Sequence, residues 1–148
     1  MKGTITTGLL ALLLLGACQT DADTDRSARH ADEAIYDLAW KHRLMVLFSP
    51  SEDDARLKRQ IEIMEADKKG FADRGLVLIK AIGEEATIVF PHTEKFASGS
   101  GADLRGKLGT EPTEFAVVVV EKNVTAAHRW SKPVDAKTLF KALDEQER

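Results

Sequence analysis

Leu44-Met45-Val46-Leu47-Phe48, running into Ser49-Pro50-Ser51, decides how this chain folds. Five consecutive apolar residues closed by a proline-bearing turn predict a strand buried on both faces, since a half-exposed strand alternates apolar with polar positions. Downstream, Ser51 with Asp54 three residues later has the form of a helix start, and Glu52, Asp53 and Asp54 suit the positive end of a helix dipole. Leu57, Ile61 and Met64 then supply a buried stripe, and Lys68-Lys69-Gly70 reads as the helix end, cations before a glycine cap. After Phe71 to Gly75, Leu76-Val77-Leu78-Ile79-Lys80-Ala81-Ile82 is a second buried strand. A helix between two buried strands implies a parallel βαβ unit with a right-handed crossover.

Upstream, Ala31, Ile35 and Leu38 recur at helical spacing, which predicts a short amphipathic helix to about Trp40. Residues 85–90 have the composition of a short extra strand, whereas 91–101 are polar and glycine-bearing and read as a surface excursion. A short helix over residues 102–108 stops at Gly109. Thr110-Glu111-Pro112-Thr113-Glu114 then leads into Phe115-Ala116-Val117-Val118-Val119-Val120, the most strand-like segment of all. Residues 121–123 turn it back into 124–130, where Asn123 at the hairpin tip is a residue that tolerates positive φ. Asp135 caps a last helix over 137–146, with Leu139 and Leu143 one turn apart. On the last strand, His128 and Trp130 share one face, Trp130 is expected in the core, and Arg129 is expected to pair with an acid.

Helix, βαβ, helix, β-hairpin and helix is the element order of the thioredoxin fold, and the chain resembles it: α/β, with a central mixed sheet of about four strands and flanking helices. The strand ending at Phe48 and the helix start at Ser51 occupy the place where thioredoxins and peroxiredoxins carry their reactive cysteine. Glu111-Pro112-Thr113 before a strand looks like the cis-proline loop that faces that cysteine. The stretch from Trp40 to about Leu143 more closely resembles the domain of unknown function 4174 family, a thioredoxin-like group of bacterial exported and animal extracellular proteins. The residues carrying this are Arg43 to Ser51, Leu104-Arg105 to Gly109, and Arg129-Trp130-Ser131-Lys132-Pro133-Val134. The resemblance implies a fold and no particular activity.

The N-terminal residues assign a place. Lys2, an apolar run from Leu9 to Leu15, and Leu15-Gly16-Ala17-Cys18 form a secretory signal too short to span a bilayer, which takes about 20 apolar residues. Small residues followed by cysteine resemble the lipobox of bacterial lipoproteins, so residues 1–17 are expected to be removed and Cys18 acylated, anchoring the chain to the membrane. Gln19 after the cysteine favours, by the same resemblance, the periplasmic face of the outer membrane. Residues 18–30, without a large apolar side chain, read as a tether, and 31–148 as the single domain.

Cys18 is the only cysteine, so an intrachain disulfide is excluded and, once Cys18 is acylated, no thiol remains. Ser49, Ser51 and Asp54, with Pro112 and Thr113 opposite, are therefore the candidate vestigial site, and thiol oxidoreductase or peroxidase chemistry is not expected of them. Three carboxylates at the helix start would repel an external anion. Ser49 or Ser51 as a nucleophile would need a base, for which His42, His92 and His128 are the candidates in the domain, and no G-x-S-x-G elbow is present. His92 with Glu94 is too sparse for a metal site, and no cofactor is expected. A formal charge of −3, falling to −4 without Lys2, and the lack of a basic stripe argue against nucleic acid. The expected partners are the membrane, through the N-terminal lipid, and an envelope protein. Three roles stay open: a non-catalytic binding module, an enzyme with a repurposed site at Ser49 to Asp54 and Pro112, and a structural subunit of an envelope complex.

Overall fold

The computed structural model describes residues 33–146. The expected signal and tether, with Cys18, lie outside them. Helix α1 occupies residues 33–41, followed by β1 (Arg43–Ser49), α2 (Ala55–Ala66), α3 (Lys68–Asp73), β2 (Leu76–Ile82), β3 (Glu85–Phe90), β4 (Glu94–Lys95), α4 (Ser100–Leu108), β5 (Ala116–Val120), β6 (Ala126–Trp130) and α5 (Ala136–Glu145).

The strands form one mixed sheet in the order β4-β3-β2-β1-β5-β6. β1 and β2 are parallel, with Val46 opposite Ile79, while β5 runs antiparallel to β1, with Val46 also opposite Val118. The four strands β2-β1-β5-β6 are the thioredoxin-like centre the sequence predicts. Six strands rather than four result because β2 turns back at Gly83 into β3, and β4 then adds to the edge. Residues 91–101, expected to be an irregular excursion, thus contain a two-residue edge strand.

β1 is buried on both faces because helices cover both. Leu44, Val46 and Phe48 point to one face with Val77, Ile79 and Val118, beneath Ile35 and Ala39 of α1 and Leu104 and Leu108 of α4. Met45 and Leu47 point to the other with Leu76, Leu78, Val117 and Val119, beneath Leu57 and Met64 of α2, Phe71 of α3 and Leu139 and Leu143 of α5. Burying side chains of this size stabilises by roughly 1.5–3 kcal/mol each, so the three-layer arrangement follows from the apolar run in the centre.

Local chemistry moves several boundaries. The cap of α2 is Asp54, not Ser51: its carboxylate accepts from Arg56 N at 2.8 Å, whereas Ser51 only closes a turn through Asp54 N at 3.4 Å. The predicted single helix to Gly70 breaks at Asp67, whose carboxylate accepts from Gly70 N at 3.0 Å and starts α3. Gly70 therefore lies inside a helix, and Gly75 (φ +62°) makes the turn into β2. In the β5–β6 hairpin it is Val124 that takes the positive φ (58°), not Asn123. Asn123 Oδ1 instead accepts from Thr125 Oγ1 at 2.6 Å. A left-handed β-branched residue costs about 1–2 kcal/mol. Val124 is 3% exposed, so burial in the α1-side core offsets that strain.

Candidate functional site

The register brings the two parts of the predicted site to one end of the sheet. Phe48 pairs with Ala116, so the turn after Ser49 and the loop before β5 emerge side by side. Arg56, in the first turn of α2, stacks over the Phe115 ring at 5.2 Å, tying the two segments together.

Ser49 is fully buried, and its hydroxyl donates to Ser51 O at 2.8 Å. Ser51 itself is exposed. The three carboxylates that crowd the helix start each hold a cation. Glu52 meets Lys80 Nζ of β2 at 2.7 Å, Asp53 meets Lys58 at 3.2 Å, and Asp54 binds Arg56 through Nη2 at 2.6 Å and Nε at 3.0 Å. The Arg56 side chain holds the Asp54 carboxyl below the usual carboxylate range, reinforced by its backbone N–H, while partial desolvation opposes the shift. This end of the sheet is a knot of local ion pairs.

Pro112 and Thr113 lie exposed in a turn closed by Glu114 N to Glu111 O at 3.0 Å, with the Glu114 carboxylate accepting from Glu111 N. The Glu111–Pro112 bond is trans. Among the described residues the cis bond is Phe90–Pro91, at the end of β3. The loop occupies the thioredoxin position, but the cis-proline feature expected of it is absent. A four-residue turn, Glu111 to Glu114, with its own hydrogen bond carries the chain into β5 without it.

Sequence reasoning missed the residue at the centre of this end. Arg105 of α4 is 5% exposed, and its Nη2 donates to Ser49 O at 3.0 Å and Ala81 O at 3.2 Å, joining the carboxyl ends of parallel β1 and β2. Its guanidinium also lies 5.3 Å from the Phe48 ring centre. Burial pulls its pKa below the ordinary guanidinium value. Nε and Nη1 are buried without a hydrogen-bond partner. The signal was present in the spacing, since Arg105 lies between Leu104 and Leu108 and beside their buried stripe, but a charged residue there reads by default as solvated.

Among the described residues, none of His42, His92 and His128 is placed beside Ser49. His42 precedes β1, about 20 Å from Ser49 along a seven-residue strand. His128 pairs with Val119, which faces Met45, four residues from Ser49. His92 lies beyond Phe90, which pairs with Leu78, and meets Glu94 at 3.2 Å on the exposed edge. Among the described residues no group of three or more His, Cys, Asp or Glu is placed to hold a metal ion.

His128 stacks on Trp130 with ring centres 5.8 Å apart, and Trp130 is half-buried against the α5-side core rather than enclosed in it. Among the described residues Arg129 meets no acid of the kind expected. It donates to Thr110 Oγ1 at 2.9 Å and to Leu108 O, satisfying a carbonyl at the C-terminus of α4. The Pro133-Val134 segment is held by Gln60, which is fully buried in α2. Gln60 Nε2 donates to Val134 O at 3.1 Å, and Gln60 Oε1 accepts from Val134 N at 2.8 Å.

The family model described as Domain of unknown function (DUF4174) matches residues 34–147. No curated protein and no solved structure matches the chain. The match spans well over half of the sequence and nearly all of the described fold, so the chain belongs to that family.

Proposed function

We propose that this family member is a lipid-anchored envelope protein whose thioredoxin-like domain works as a binding module, without thiol or hydrolytic turnover. One observation carries the reading of the domain. At the end of β1, where a reactive thiolate would stand, Ser49 is buried and engaged with Ser51 O, and Asp54 is committed to Arg56 and the helix cap. Groups held in structural hydrogen bonds of this kind have no base to activate them and no open face for a substrate. The anchoring half rests on Leu15-Gly16-Ala17-Cys18, and placement at the outer membrane on Gln19.

Two measurements test the proposal. Radiolabelled palmitate should enter the wild-type protein in cells, and Cys18→Ala should abolish both labelling and membrane retention. A variant still acylated would overturn the anchor. The purified domain should neither reduce an insulin disulfide nor consume peroxide above background, and turnover that survives removal of contaminating enzymes would overturn the non-catalytic reading.

A further inference from the structure

Among the described residues, Arg105 is the side chain whose buried nitrogens lack a hydrogen-bond partner: Nε and Nη1 have essentially no contact with solvent, and the residue is 5% exposed. Its third nitrogen, Nη2, is spent on Ser49 O at 3.0 Å and Ala81 O at 3.2 Å, where parallel β1 and β2 end. Those carbonyl dipoles and the Phe48 ring, 5.3 Å from the guanidinium, soften its charge and supply no counter-ion. Burial lowers the Arg105 pKa, and no carboxylate acts against that shift. The acids of the neighbouring turns are committed or turned outward. Glu52 holds Lys80, which alternates with Leu78 on the α2 face of the sheet, and Glu85 is 3.7 Å from Lys95. Glu84 and Asp103 are exposed. Ion pairing among the described residues therefore leaves this buried cation uncompensated.

We infer that Arg105, through Nε and Nη1, binds a small inorganic anion of the size of chloride between α4 and the carboxyl ends of β1 and β2. Arginine does not shed its proton in a protein, so this place keeps a full positive charge. A water molecule would accept the free N–H bonds and leave that charge without a partner, whereas an anion does both. The surroundings set the size of the ligand. Ser49 is fully buried, and α4 is pressed onto the β2–β3 turn, where a Cβ on Gly101, one turn before Arg105, would lie 2.4 Å from Glu85 O. Such an enclosure excludes a substrate-sized acid. Entry is through the turn after β1. Pro50 to Asp53 are exposed, and Asp54 N closes that turn on Ser51 O at a long 3.4 Å, so local opening uncovers the strand ends. This site depends neither on the lipid anchor nor on the absence of turnover proposed above.

The test uses the mature chain 18–148 carrying Cys18→Ser, whose described buried apolar residues all fall between Ile35 and Leu143, so that the core is complete. Urea unfolding is followed at constant ionic strength while chloride replaces gluconate, an anion too large for the enclosure. The folding equilibrium constant should rise saturably, by about elevenfold at a chloride concentration about ten times the dissociation constant. Arg105→Met, which keeps an unbranched side chain and removes the charge, should not respond to chloride. Lys141→Gln, which removes an exposed cation of α5, should respond as the parent does. Crystals of the parent grown in bromide should show an anomalous peak in contact with Nε or Nη1, a reading that stands even where Arg105→Met does not fold. A parent whose stability is flat in chloride or rises without saturation, a saturable rise that survives in Arg105→Met, or crystals with a water only at Nε and Nη1 would each overturn the inference.

Discussion

Replacing Gln60 with alanine should unfold this domain more readily by about 3 kcal/mol, although Gln60 touches no part of the candidate site. The reason is the reciprocal pair it makes with Val134, at 3.1 Å to the carbonyl and 2.8 Å from the N–H, both inside the protein. Without the amide, two buried backbone groups lose their partners, at roughly 1–3 kcal/mol each. Lost methylene burial adds about 0.8 kcal/mol per group. Release of an ordered glutamine side chain returns about 1–2 kcal/mol of rotamer entropy. For an ordered domain of 114 described residues, 3 kcal/mol corresponds to a drop of about 12 °C in Tm. Gln60→Leu separates the terms. It keeps the volume and gains apolar burial but still strands Val134, so it should lose about 2 kcal/mol. Urea unfolding followed by circular dichroism measures both, with Glu62→Ala on the exposed face of the same helix as a control near zero. A Gln60→Leu protein as stable as wild type would show that Val134 finds other partners, and the reasoning would fail.

Two glycines should respond in opposite degree to alanine. At Gly101 a Cβ would lie 2.4 Å from Glu85 O and 2.8 Å from Glu84 C, which are backbone atoms of the β2–β3 turn, so Gly101→Ala should destabilise by at least 2 kcal/mol in urea titration. At Gly109 a Cβ meets nothing, and only the left-handed φ of 63° matters, so Gly109→Ala should cost about 1 kcal/mol. Equal losses would refute the steric argument. The domain should also lose stability in acid. Asp54, Asp135 and Asp144 have carboxyl pKa values lowered in the folded state, first by hydrogen bonds from the Arg56 side chain, the Thr138 backbone and the Arg74 side chain respectively. Below about pH 4 the unfolded chain therefore binds more protons than the folded one. The three contributions are complete above that value and fade as pH falls through the lower folded values. Asp54→Asn should flatten the acid limb of a Tm-against-pH curve, and an unchanged slope would argue against that assignment.

The sequence by itself determined the layering. Leu44 to Phe48 and Leu76 to Ile82 are uninterrupted apolar runs, and a strand with no polar face has to be covered on both sides, so α/β architecture and the β1–β2 pairing follow from composition and order. Gly109 and Asp135 were legible as a helix end and a helix cap because capping is local chemistry. The absence of a thiol beyond Cys18 was equally plain, and it bounded the chemistry before any contact was known. Tertiary structure decided what depends on partners distant in the chain. One choice was local: Asp54 outcompeted Ser51 as the cap because its carboxylate serves both the N–H and the side chain of Arg56, two residues on. Val124 took the left-handed φ that local propensity assigns to Asn123, because only the folded hairpin offers its side chain a core beneath α1. Arg129 of β6 bound a carbonyl at the end of α4, 21 residues away in sequence, and not an acid. Arg105 is the clearest case. Its charge predicts solvent, yet Ser49 O and Ala81 O, 56 and 24 residues away in sequence, converge on its guanidinium only once β1, β2 and α4 are assembled.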